Sequence, residues 1–130
     1  MPSVKRVLFV CVENSNRSQM AEAFAHIHGG AAVDAQSAGS KPSGVINPKA
    51  IRFMGELGYD LTRHASKSLT DISGEFDAVI TMGCSDNCPW VPARLREDWG
   101  LPDPKHMDDD GYRAVRDEIA ARVRDLLARV

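Results

Sequence analysis

Cys11, Arg17 and Ser18 are the residues whose types and spacing could do chemistry together. They stand in "CVENSNRS": a cysteine, five residues, an arginine and a serine. The apolar run Val7–Val10 precedes them and a helical pattern follows. A short loop between a strand and a helix can wrap an anion, because its N–H groups point inward and the helix N-terminus adds positive partial charge. Val12, Glu13, Asn14, Ser15, Asn16, Arg17 and Ser18 would line such an anion, with Arg17 clamping two of its oxygens. Cys11 would sit at the bottom of the same positive field, which favours the thiolate, the nucleophilic form. Ser18 could donate a hydrogen bond to the sulfur, and Asn14 could take a left-handed turn, which asparagine tolerates. A carboxylate would repel the guest, so Glu13 is expected to turn its N–H in and its side chain out. The plainer alternative is a buried cysteine with a solvated arginine beside it. The position between a buried strand and a helix favours the anion loop.

Cys84 and Cys88 follow a later apolar run, bracketed by Gly83 and Pro89. Residues four apart on one helical turn lie roughly 6 Å apart, within disulfide range. Such thiols can pass an electron pair by exchange. They could also be unreactive buried cysteines, or zinc ligands with His106, although four ligands at usual spacings are not visible. Asp103, between Pro102 and Pro104, sits on a stiff loop as a turn aspartate or as an acid. His26 and His28 read as surface or capping residues near a helix C-terminus. His64, beside Arg63, could line an approach to the loop. The run Asp108–Asp110 reads as a solvated turn that caps the last helix.

These residues need elements to hold them. The chain of 130 residues, 43% hydrophobic, suits one domain over residues 1–130. Its net charge of -2 gives no basic footprint for nucleic acid. No run approaches a membrane span, and the N-terminus lacks a signal-peptide pattern. Three cysteines are too few for a secreted disulfide scaffold and suit a reducing cytoplasm. Val7–Val10 and Phe76–Met82 read as buried strands and Val33–Ser37 as a shorter one. Ser18–Ala25 reads as a helix with Met20, Ala21, Phe24 and Ala25 on its inner face, stopped by Gly29–Gly30. Asn47-Pro48 opens a second helix with Ile51, Met54 and Leu57 inward. Asp110–Val130 reads as a long amphipathic helix with Val115, Ile119, Val123, Leu126 and Leu127 inward. Residues 83–92 and 99–104 read as irregular. Alternating strands and helices imply a parallel sheet whose ligands lie beyond the carboxyl ends of its strands. Cys11 and Cys84 then share one sheet edge.

"FVCVENSNRSQMAEAF", "SAG" at Ser37–Gly39, "NPKAI" at Asn47–Ile51, "TMGCSDNCP" at Thr81–Pro89, "DWGLPDP" at Asp98–Pro104 and "VRDEI" at Val115–Ile119 together resemble one family. It is that of the low-molecular-weight phosphatase-like arsenate reductases of the thioredoxin-coupled type. The resemblance implies an α/β fold: a single three-layer domain with a four-stranded parallel sheet, helices on both faces, and flavodoxin-like strand order. It implies Cys11, Arg17, Cys84, Cys88 and Asp103 as catalytic residues. Cys11 would attack arsenate, with Asp103 as general acid. Cys84 and then Cys88 would take over as a disulfide, reduced from outside by thioredoxin or a similar thiol donor. No tightly bound cofactor, nucleic acid or membrane is implied, and phosphate or sulfate should mimic arsenate. A cytoplasmic monomer is expected. The family often has a potassium site, of which Asn14, Glu22 and Ser37 match three ligands. Lys67 matches the fourth, normally an aspartate, so the expectation is no metal, with Lys67 paired to Glu22 or Asn14. Alternatives are an arsenate–mycothiol transferase, a low-molecular-weight protein tyrosine phosphatase, and a non-enzymatic anion sensor. The phosphatases tend to carry aromatic residues after the aspartate, where this chain has "KHM".

Overall fold

A computed structural model describes residues 4–83 and 91–130. Among the described residues four strands and three helices follow in the order β1 (Lys5–Cys11), α1 (Arg17–Gly29), β2 (Val33–Gly39), α2 (Pro48–Gly55), β3 (Phe76–Thr81), β4 (Ala93–Asp98) and α3 (Asp109–Arg129). The strands form one parallel sheet in the order β2-β1-β3-β4. This is the expected sheet. Its first reversal of strand order lies between β1 and β3, so the end of β1 opens into the crevice where such sheets bind ligands. Cys11 is the last residue of β1, paired in register with Gly39 of β2.

Strand pleating sorts the core into two clusters. Val7, Phe9 and Cys11 face the larger one, with residues of α1, α2 and α3. Leu8 and Val10 face the other side, where Leu69 and Ile72, in and beside the 3-10 turn Leu69–Asp71, pack over them. Alternate residues of a strand point to opposite faces, so an unbroken apolar run marks a strand covered on both.

Three elements differ from the sequence reading. β4 falls in "ARLRED", whose burial alternates between half-buried and exposed. It is an edge strand, so only one face needs apolar residues, and its charged outer positions hid it. In α2 the inward residues are Ala50, Phe53 and Met54, while Leu57 lies beyond the helix end and is 48% exposed. α1 is buried on nearly all sides from Ser18 to Ala25, including polar Gln19 and Glu22. The predicted caps are present: Asn47 accepts from Lys49 N–H, and Asp108 accepts from Gly111 N–H. Among the described residues no helix is long and apolar enough to cross a membrane.

Candidate active site

The loop between β1 and α1 is shaped by where its carbonyls go. Val12 O accepts from Lys41 N–H, and Glu13 O accepts from Ser43 N–H and the Ser66 hydroxyl. Asn14 O accepts from Gln19 Nε2, Ser15 O from Asn47 N–H, and Asn16 O from Met20 N–H. Five consecutive carbonyls are thus turned into the scaffold. The N–H groups from Glu13 to Arg17 are donors in none of these bonds. An anion cradle needs this polarity, with acceptors tied back and donors left for the guest. The loop turns at Asn14, whose φ of 50° is left-handed, as the sequence suggested. Gly39 lies against the loop, and a Cβ there would fall 2.5 Å from Val12 O.

Cys11 is 3% exposed, and its Sγ lies 2.9 Å from Ser18 Oγ. Asn14 Oδ1 accepts from the backbone N–H of Lys67 at 2.9 Å, so the other end of the amide is the nitrogen. Asn14 Nδ2 donates to Ser18 Oγ at 2.8 Å. With Asn14 on one of its lone pairs, Ser18 Oγ still has its hydroxyl hydrogen to donate, and a Cys11 thiolate, which can only accept, would receive it.

A pocket of about 250 Å³ opens over the sulfur, lined by Cys11, Val12, Glu13, Ser15, Asn16, Arg17, Asp103 and Lys105. The structure thereby brings Asp103 to the cysteine from 92 positions away in the chain. Asp103 also caps the 3-10 turn Pro104–His106, accepting from Lys105 N–H at 3.1 Å. The Glu13 carboxylate reaches toward solvent and lies 3.6 Å from Lys105 Nζ, both being part-exposed. This agrees with the outward side chain expected of it.

Arg17 Nη1 donates to Met82 O at 2.5 Å and to Leu101 O at 2.6 Å. One guanidinium thus ties the anion loop to the chain leaving β3 and to the loop that carries Asp103. Asp98 Oδ1 reinforces the tie, accepting from Gly83 N–H at 2.7 Å and Gly100 N–H at 3.2 Å. Both glycines have positive φ, at 78° and 57°. Cys84 and Cys88, expected as catalytic, lie outside the described residues.

Tyr112 and Gln19 were not singled out from the sequence. Tyr112 of α3 is fully buried and its hydroxyl donates to Asn16 Oδ1. Burial, and then the negative charge of Asp103, raise its pKa, so it stays a neutral donor. Gln19 donates through Nε2 to Asn14 O, Asn14 Oδ1 and Ala65 O. Its Oε1 is then the acceptor for His64 Nδ1–H at 3.0 Å. His64 therefore stands behind the loop rather than on its approach. His26 is exposed in the last turn of α1, as expected, and its Nε2 also lies 3.5 Å from Glu22 Oε2. Gln19 and Glu22, polar residues set among Met20, Ala21, Ala23 and Phe24, are the sequence signal that could have pointed here.

The potassium ligands implied by the resemblance do not suit a cation in this arrangement. Asn14 Oδ1 already receives Lys67 N–H and Gln19 Nε2. The Ser37 hydroxyl donates to Glu22 Oε1 at 2.8 Å. Lys67 Nζ stands 3.9 Å from that same Oε1, where a second cation would be repelled.

Residues 6–130 match the family described as low molecular weight phosphotyrosine protein phosphatase. A glutaredoxin arsenate reductase of Synechocystis sp. is 38% identical, the alignment covering 98% of this chain and 99% of that one. An arsenate reductase solved in the phosphate binding state superposes with a TM-score of 0.90 at 37% identity, covering 98% and 99% of the two chains. A thioredoxin-dependent arsenate reductase of Corynebacterium glutamicum gives 0.79 at 37% identity, covering 97% of this chain and 61% of that one.

Proposed function

The chain belongs to the low molecular weight phosphotyrosine protein phosphatase family, on its arsenate reductase side, and we propose that it reduces arsenate by a relay of three of its own thiols. The observation that carries the first step is the Asn14–Ser18–Cys11 chain of hydrogen bonds at the floor of an outward-tied carbonyl loop. It prepares a thiolate under an anion. Cys11 Sγ bonds to arsenic, and an arsenate hydroxyl leaves as water on taking one proton from Asp103. Arg17 and the loop N–H groups hold the remaining oxygens.

The second half rests on Cys84 and Cys88 in "GCSDNCP". Cys84 thiolate attacks the Cys11 sulfur, and the S–As bond breaks with its electron pair on arsenic, which leaves as arsenite. The Cys11–Cys84 disulfide is then attacked by Cys88. This frees Cys11 as thiolate and leaves a Cys84–Cys88 disulfide. An external dithiol returns that disulfide to two thiols and is itself oxidised. The balance is two electrons from two thiols to one arsenic. Thioredoxin in the cytoplasm is the proposed donor to a monomeric enzyme. The thioredoxin dependence of one relative supports this, while the glutaredoxin in the name of another marks the competitor. We also propose that the loop works without potassium, with Lys67 supplying the positive charge beside Glu22. Exchanging sodium for potassium should then leave both melting temperature and turnover unchanged.

A single turnover with arsenate and no external reductant tests the relay. One arsenite per enzyme and a Cys84–Cys88 disulfide by mass spectrometry are expected. Cys88→Ser should stop at the Cys11–Cys84 disulfide, and undiminished multiple turnover in that variant with thioredoxin would remove Cys88 from the scheme. If an added small thiol is needed before arsenite forms, the transferase reading replaces it.

A further inference from the structure

Glu22 is the meeting point of two surroundings. Its Oε1 faces Ser37 and Lys67. Its Oε2 faces two imidazoles, His64 Nδ1 at 3.1 Å and His26 Nε2 at 3.5 Å. The three ligand atoms all lie within 4.8 Å of one another. A tetrahedral ion with zinc's bond lengths of about 2.0–2.2 Å holds its ligand atoms roughly 3.3–3.5 Å apart. The two measured separations bracket that spacing. We propose that Glu22, His26 and His64 form a binding site for a divalent transition-metal cation of zinc's type.

The surroundings suit such an ion. Two imidazoles and one carboxylate leave open positions for water, and imidazole selects zinc-like cations over calcium or magnesium. A cleft of about 570 Å³ adjoins the cluster, lined by Tyr59, Arg63 and Lys67 as well as the three ligands. His26 is 39% exposed on its side chain and gives the ion a way in. The His64 side chain is only 5% exposed and that of Glu22 9%, so an ion held between them is shielded from solvent on that side.

The proton traffic also closes. In the metal-free protein His64 Nδ1–H donates to Gln19 Oε1, and Nε2 faces the Tyr59 hydroxyl at 2.6 Å. Metal at Nδ1 requires the other tautomer, with Nε2–H donating to the Tyr59 oxygen. A phenol both donates and accepts, so Tyr59 satisfies His64 in either state. Occupation would take from Gln19 the bond that His64 gives it. Gln19 in turn holds Asn14, so the site reaches the anion loop through one side chain. The Lys67 ammonium opposes the ion's charge but sits at the other carboxylate oxygen.

Zinc titration of the full-length protein, followed by long-range proton–nitrogen NMR of the imidazoles, tests this. Zinc taken up by thiols leaves these signals in place. His64 is expected to change from its Nδ1–H to its Nε2–H tautomer as His26 shifts, with His28 and His106 unmoved. His26→Ala should raise the zinc needed for the His64 change about tenfold or more. Tyr59→Phe, which keeps all three ligands, should raise it several-fold. The proposal falls if His64 keeps Nδ1–H through excess zinc, or if it changes at the same zinc concentration in both variants. The readout is independent of arsenate turnover, so its failure leaves the thiol relay untouched.

Discussion

At the scale of single residues, the site depends on a short chain of hydrogen bonds. Lys67 N–H fixes the Asn14 amide, Asn14 Nδ2 donates to Ser18 Oγ, and the Ser18 hydroxyl is the donor within reach of a Cys11 thiolate. A hydrogen bond to a charged group contributes about 1.5–3 kcal/mol. Ser18→Ala should therefore lower kcat for arsenate by roughly tenfold to a hundredfold, with KM little changed. Steady-state kinetics decide this, and an unchanged kcat would show that the serine does not stabilise the thiolate. Cys11→Ser should lose all arsenate reduction while still binding phosphate, as isothermal calorimetry can read. Tyr112→Phe acts on stability instead. It strands Asn16 Oδ1 in the interior, whose Nδ2 already lacks a partner among the described residues. The expected loss is about 1–3 kcal/mol by chemical denaturation.

At the scale of elements, the site is the junction of four segments, and close approach between backbones holds it. Gly39 ends β2 against the anion loop, where a methyl group would meet Val12 O at 2.5 Å and Asn14 N at 3.1 Å. Backbone on both sides leaves no cheap way to move. Gly39→Ala should displace the loop and weaken phosphate binding together with arsenate turnover, while the far end of the sheet keeps its amide chemical shifts. Asp98, at the end of β4, holds Gly83 and Gly100 side by side. Through that clamp an edge strand with no active-site residue of its own sets the spacing between the two loops that Arg17 also joins.

At the scale of the whole molecule, α2 and α3 are pinned by charge as well as by packing. Glu56, at the C-terminus of α2, bonds Arg113 and the buried Arg116 of α3. Arg113 above all, and Arg116 with it, hold the Glu56 carboxyl down to about 2. A carboxyl lowered on folding stabilises the native state above its ordinary value near 4.5. That contribution fades as pH falls from there toward 2. Thermal melts across this window should decline more steeply for the wild type than for Glu56→Gln, and parallel curves would show that the pair adds nothing.

What the sequence by itself determined is local or periodic. Apolar runs marked β1 and β3, the caps at Asn47 and Asp108 were readable from their types, and Cys11 to Ser18 announced an anion loop with a left-handed Asn14. These signals survive in one dimension because a strand's pleat, a helix turn and a short loop involve only near neighbours. The tertiary structure decided the rest. β4 was hidden because an edge strand is recognised by its neighbour's hydrogen bonds, not by its own composition. Tyr112 and Gln19 were invisible as site residues, and His64 was expected on the approach rather than behind the loop, because a buried polar group is defined by its partners, and theirs lie up to 96 positions away. Glu22 stands between the two: the family resemblance anticipated Lys67 beside it, while only folding showed two imidazoles on its other oxygen.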